Sequence, residues 1–336
     1  MLDPRSQSAD GGSFPGLSFA YRFHDGMAER IEPANLRSAL NQPGGWTWLH
    51  FSLADDGARS WIAHDAPIPD RAKAILLSED EHLVLEPIAG GVAGVFADLL
   101  RDVEGENRQL GRLRFSLTDE LVISGRRSAL GAIARTLEAI DAGKRFPDAV
   151  ALLEAIVSHF ADSVAVIANE LADTLDLIED HVIDDVIPGD EPQRLAPVRR
   201  TAVRLHRQLA ALRLLFRRWS LPGQTELPSR IGEAAGRLAQ RLDGLDHEIA
   251  ALQDRARLLQ DEIGAKLAAA TNRNLYVLTI VTAFLLPPTL VAGVFGMNVT
   301  DVPFTKDPGG FIWAMALTIA SAVAVYVFLR WLRIMR

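Results

Sequence analysis

Cysteine is absent from the 336 residues. That excludes disulfide bonds and thiolate zinc sites and says nothing about compartment. Lys, Arg, Asp and Glu are absent between Arg273 and Asp301, and again from Pro308 to Leu329. Each gap leaves an apolar run of the roughly 20 residues that a bilayer-spanning helix requires. Lys and Arg are also missing between Arg145 and Arg194, and acids between Arg194 and Glu226. The first ten residues lack the apolar core of a secretory signal, so the region before the spans is expected to stay in the cytoplasm. No phosphate-binding glycine loop and no convincing catalytic group is visible, so an enzyme has the least support and no cofactor is expected. The net charge of −8 argues against nucleic acid as a partner and suits the handling of cations.

What is present divides the chain into three parts. Residues 1–147 read as an N-terminal cytoplasmic α/β domain. Its strand candidates are Leu17–Phe23, Trp46–Phe51, Gly91–Leu100, Arg112–Thr118 and Glu120–Ser124, the last two forming a tight hairpin around Asp119. Asp55–His64, Pro69–Ser78 and Ala129–Ala142 read as helices with Pro and Asp in their first turns. Residues 148–273 form a helical hairpin and stalk. An acidic helix runs from Asp148 to about 187, Pro188 to Pro192 breaks it, and a basic helix bearing Arg194, Arg199, Arg200, Arg204, Arg207, Arg213, Arg217 and Arg218 follows. This inversion of sign predicts charge pairing across an antiparallel hairpin. From about Ser229 to Phe295 the sequence is compatible with one helix on the order of 100 Å long. Leu238, Leu242, Leu245, Ile249, Leu252, Leu259 and Ile263 supply a seam at steps of three, four and seven. Residues 274–336 form a two-helix transmembrane domain with an external loop at 299–310. Lys266 and Arg273 precede the first span, and Arg330, Arg333 and Arg336 follow the second. By the positive-inside rule both termini face the cytoplasm.

The first span ends Leu286-Pro287-Pro288-Thr289-Leu290-Val291-Ala292-Gly293-Val294-Phe295-Gly296-Met297-Asn298. Gly-Met-Asn at the outer end of the penultimate span of a two-span protein is specific, and the whole arrangement resembles the CorA family of divalent-cation transporters. The stretch Asn298 to Thr305 is similar to the Asn-Val-Gly-Gly-x-Pro loop of the zinc-transporting ZntB branch. It departs at Thr300 and Asp301, and the acidic Met-Pro-Glu-Leu element of the magnesium channels is absent. The resemblance implies an α+β membrane protein assembled as a pentameric funnel in the inner membrane. It implies a homopentamer in contact with lipid, with Gly296, Met297 and Asn298 at the pore mouth and the first spans lining the pore. Zinc is the expected cargo, with magnesium, cobalt or nickel as the alternative within the family.

Independently of the resemblance, Asn272, Leu275, Leu278, Thr279, Thr282, Leu286, Thr289 and Gly293 recur at three- and four-residue steps and form one stripe of a helix. The family's pore residues, carried across from Asn298, land on this stripe. The same spacing would also serve plain helix packing, as in a membrane-anchored scaffold or sensor that passes no ion. Two further sets have metal-ligand spacing on a helix: Asp180, His181 and Asp184, and Asp243 with His247. A solvated charged face is the alternative for both. His50 lies in a strand and reads as structural.

Overall fold

The computed structural model describes residues 14–101, 109–183, 189–221, 229–297 and 309–331. These form two compact units. One holds the residues up to Asp180 together with Gln193–Leu258, and the other holds His181–Pro192 and the residues from Leu259 onward.

The first unit is built on a seven-stranded sheet of order β2-β1-β3-β7-β6-β5-β4. The strands are β1 (Leu17–His24), β2 (Met27–Arg30), β3 (Trp46–Ser52), β4 (Val84–Ile88), β5 (Gly91–Leu99), β6 (Leu110–Thr118) and β7 (Leu121–Arg126). Every neighbouring pair is antiparallel except β3 with β7, which is parallel. The strands expected from the sequence are present within two residues at each end. Two were missed. β2 is short and mostly exposed, so it carries no alternating pattern. Its signal was the two-residue turn Asp25-Gly26, where both residues have positive φ, 48° and 79°, as a type I′ hairpin requires. β4 contains Pro87, which an edge strand tolerates because one side of its backbone needs no partner.

Helices cover both faces. α1 (Leu36–Leu40), α2 (Asp56–His64) and α3 (Asp70–Leu77) belong to one side, where Ala58, Ile62, Ile75 and Leu76 join Leu49, Phe51, Val95 and Ile123 in a buried cluster. Asp55 caps α2, its Oδ1 accepting from the Ala58 amide at 3.1 Å. On the other side lie α4 (Gly131–Asp141), α5 (Ala149–Ile183) and α6 (Glu191–Ser220), with Phe216 of α6 5.2 Å from Phe96 of β5. Asp98, on β5, is buried and accepts from the amides of Leu99 (2.7 Å) and Ala132 (2.9 Å), the second in the first turn of α4. Burial outweighs these bonds and pushes its carboxyl up to about 7.

A buried polar chain sits in the sheet. Trp48 Nε1 donates to Ser124 Oγ at 2.7 Å, and His50 Nδ1 lies 2.7 Å from the same oxygen. Arg126 Nε donates to His50 Nε2 at 3.0 Å. A guanidinium has no acceptor, so Nε2 must accept and the imidazole proton sits on Nδ1, donated to Ser124. Burial, and then the Arg126 charge, push the pKa of His50 down to about 3.

α7 (Ser229–Phe295) contributes its first half to the same unit. There charge pairing reaches beyond the expected hairpin of α5 with α6. Asp148, just before α5, and acids of α5 meet arginines of α7: Asp148 with Arg230, Glu154 with Arg237, Asp162 with Arg241, and Asp176 and Glu179 with Arg255. Residue numbers rise together along both helices, so α5 and α7 run parallel. α6 runs against them, its Arg213 reaching Asp243 at 2.7 Å. The arginines of α7 are heptad-related but interspersed with acids, so no single-sign run announces them. The α7 seam is buried at Leu238, Leu242, Ile249, Leu252, Leu259 and Ile263, while Leu245 is half-buried and Asp246 takes a buried place. Asp246 lies 2.8 Å from His206 Nδ1 and 3.5 Å from Arg213 Nε, so another register of α6 would strand a buried charge.

The second unit holds the rest of α7 and α8 (Gly310–Trp331). α5, α7 and α8 are all long and apolar enough to cross a bilayer. In α5, 44% of the apolar window is buried inside the protein, against 0% in α7 and α8. α5 is thus packed within the first unit, while the apolar windows of α7 and α8 lie uncovered among the described residues, as membrane spans would.

Two stability measurements follow. Neutral His50 binds a proton only below about 3 when folded, but near 6.5 when unfolded. Its contribution is therefore complete above pH 6.5 and is lost as pH falls toward 3. His50→Gln keeps a donor and an acceptor without titrating. Between pH 6 and 4 the wild type should lose up to about 1.4 kcal/mol per pH unit more than this variant, read as the difference in denaturant midpoints. Arg255→Gln removes contacts to two exposed acids and should cost at most about 1 kcal/mol. Thermal unfolding should show this loss shrinking in molar salt.

Candidate functional site

The stripe read from the sequence lies on α7 in the second unit. Asn272, Leu275, Leu278, Thr279, Thr282, Leu286, Thr289 and Gly293 are all exposed. On the same helix Ile280, Ala283, Phe284, Pro287, Pro288, Val291 and Phe295 are half-buried. At 100° per residue these two sets are centred on opposite faces. The half-buried side meets α8 through Phe284 and Tyr326, with ring centroids 6.4 Å apart. The stripe is thus turned away from α8 and has no cover among the described residues.

Its polar chemistry is specific. Thr279 Oγ1 donates to Leu275 O at 2.8 Å, Thr282 Oγ1 to Leu278 O at 2.8 Å, and Thr289 Oγ1 to Leu285 O at 2.7 Å. Each hydroxyl has one proton and two lone pairs. With the proton spent on the helix, the oxygen offers only lone pairs outward, which suits a cation. Leu275, Leu278 and Leu286 separate these hydroxyls with apolar side chains. Pro287 and Pro288 lack amide protons, so the carbonyls of Ala283 and Phe284 lose their helical donors. Both residues lie on the half-buried side, away from the stripe.

Gly293 has nothing within 4 Å of the position a Cβ would occupy, so a neighbouring helix can approach it closely. α7 ends at Phe295, and the amides of Gly296 and Met297 bond back to Ala292 O (2.9 Å) and Val294 O (3.3 Å). A Cβ on Gly296 would stand 3.1 Å from Ala292 O, a tight contact at this closing turn. Gly296 and Met297 are exposed. Asn298 lies outside the described residues, as does the expected external loop up to Pro308.

The other candidates are placed differently. Asp243 is held by Arg213 at 2.7 Å, and His247 Nδ1 bonds the Asp243 carbonyl at 2.7 Å and stands 3.7 Å from its carboxylate. The Arg213 hydrogen bond holds the Asp243 carboxyl below its usual range. Asp180 and His181 are exposed neighbours on α5, and Asp184 lies outside the described residues. Among the described residues no three His, Cys, Asp or Glu side chains gather in a way that could hold a metal ion. Asp243 and His247 do stand side by side, and Arg213 of α6 shares the Asp243 carboxylate.

The profile of the family described as "CorA-like Mg2+ transporter protein" matches residues 43–331. The chain is 28% identical to the divalent cation transporter CmaX of Pseudomonas aeruginosa, over 97% of its own length and 100% of the relative's. It is also 28% identical to the zinc transport protein ZntB of Pectobacterium carotovorum, over 79% and 80% of the two lengths. The solved structure of full-length CmaX superposes with a TM-score of 0.81 at 25% identity, covering 97% of this chain and all of the other. That of the CorA magnesium transporter of Methanocaldococcus jannaschii superposes at 0.74 and 18% identity, over 93% and 96% of the chains, a likeness of fold. Two apolar spans, an uncovered hydroxyl-bearing stripe and a match over most of its length make this chain a member of the CorA-like family of divalent-cation transporters.

Proposed function

We propose that this transporter carries zinc through a homopentameric pore walled by the α7 stripe, in the inner membrane with both termini cytoplasmic. The observation that carries the reading is the face of α7 turned away from α8. It is uncharged, bears hydroxyl oxygens with their protons already used, and ends at Gly296-Met297. One such stripe cannot enclose a path alone, so several copies must surround an axis.

A divalent ion gives up its water reluctantly. A wall without carboxylates can pass it only if water, hydroxyl or amide oxygens remain in reach along the way. The Asn298 side chains, one from each chain, would meet the hydrated ion at the mouth. The threonine rings would continue the path. Rings at Leu275, Leu278 and Leu286 would form apolar constrictions that close by dewetting. Gly293 would allow the helices to draw together near the mouth. Support for zinc over magnesium comes from the ZntB relatives and from the loop after Asn298. Magnesium, cobalt or nickel is the second choice.

Flux into metal-loaded or metal-free liposomes is the decisive measurement. Zinc should enter faster than magnesium. Reversal of that order would move the assignment to a magnesium channel, and no flux of any divalent ion from an intact pentamer would favour a scaffold or sensor. Asn298→Ala should strongly impair flux while the mass in detergent stays pentameric; unchanged transport would remove Asn298 from the mouth. Thr282→Val is isosteric and removes one oxygen per chain, so flux should fall roughly two- to ten-fold, the range of one lost hydrogen-bond-strength contact. A tag at Lys306 should be labelled from outside and one at Arg336 should not.

A further inference from the structure

The first unit contains an open cavity of about 580 Å3 on the side of the sheet covered by α1 and α2, at the end where β3 and β7 begin. This is an ordinary size for a small-molecule site. Its lining brings together three kinds of chemistry that the transport reading does not use.

The first is a buried cation. Arg22 is only 6% exposed, and all five of its N–H groups are spent. Nε donates to His24 Nε2 at 3.2 Å. One terminal nitrogen donates to Ala39 O (2.8 Å) and Thr47 Oγ1 (2.9 Å), and the other to Gln42 O (2.6 Å) and Gly44 O. Every acceptor is neutral. A buried charge without a counter-ion is unfavourable, and its field reaches the adjoining cavity. Arg37, on α1, adds an exposed guanidinium at the same cavity that has no side-chain partner among the described residues. The second is an aromatic edge: Trp61 lines the half-open wall of the cavity, with Phe51 stacked on its ring at 5.0 Å and Phe14 at a steep angle to it at 5.4 Å. The third is a pair of exposed carboxylates, Asp65 and Glu120, without ion-pair partners among the described residues.

We infer that this cavity binds a small organic anion whose flat ring carries N–H donors, a ligand of the mononucleotide type. The anionic group would take the free donors of Arg37 in the field of Arg22. The ring would pack at the exposed part of Trp61, and its N–H groups would donate to Asp65 or Glu120. A metal cation is disfavoured by the two guanidinium groups. A bare inorganic anion leaves the aromatic edge and the carboxylates unused, and an uncharged ring compound leaves Arg22 uncompensated.

The probe is AMP, measured by equilibrium dialysis on the full chain purified in detergent, with no metal present, so the outcome is independent of transport. Saturable binding of one AMP per chain is expected. Adenosine and inorganic phosphate should each compete at least ten-fold more weakly. Arg37→Gln, an exposed change that should leave the thermal unfolding profile as it was, should weaken AMP at least ten-fold through loss of charge-assisted hydrogen bonds. The inference is overturned if AMP shows no saturable binding below about 1 mM, a threshold of roughly 4 kcal/mol of binding free energy. It is equally overturned if Arg37→Gln binds AMP like wild type, or if adenosine competes as well as AMP.

Discussion

A single hydrogen-bonded backbone, α7 from Ser229 to Phe295, has to serve two solvents. In its first half side chains sort by water: the seam from Leu238 to Ile263 is largely buried, and arginines reach outward to the acids of α5. In its second half hydrocarbon offers polar side chains no partner, so they must be absent or satisfied within the helix. The absence of charge after Arg273 meets that demand. The threonines meet it too, since each returns its hydroxyl proton to a carbonyl one turn back. Other features follow from this division. α5, though apolar enough to enter a membrane, is packed into the first unit through its buried residues and carries a line of acids that pair with arginines.

Much of this architecture is legible in the sequence because the strongest signals are local. Charge-free runs, breakers such as Pro188 to Pro192, and the Asp119 hairpin each act within a few residues. Trp46–Phe51 and Gly91–Leu100 were readable as strands because both faces are apolar, as interior strands demand. The features that escaped are those set by tertiary placement. β2 has almost no buried side chain to mark it. The α7 partners of the acidic helix escaped because a block of arginines in α6 is conspicuous, while Arg230, Arg237, Arg241 and Arg255 are dispersed among acids yet share a face. Asp243 and His247 have ligand spacing, but spacing cannot report that Arg213 lies across from them.

The site divides in the same way. The order of residues along the stripe is a matter of helical period and was visible at once. That the stripe is uncovered, and that Phe284 rather than Thr282 faces α8, depends on how two helices meet. Arg22 escaped for a related reason. A lone arginine in a strand has no pattern, and its meaning lies in five neutral acceptors drawn from β1, α1, β3 and the loop at 42–44.

The threonine geometry has a further consequence for the proposed pore. Its preference for positive ions would come from the orientation of dipoles and from no ionised group. A dipole locked by its own helix has no protonation state to lose, and it cannot trap a divalent ion as a carboxylate ring does. Such a wall distinguishes cation from anion at every pH at which the helix is folded. Discrimination between one divalent metal and another then falls to the mouth and to how readily each ion sheds water there.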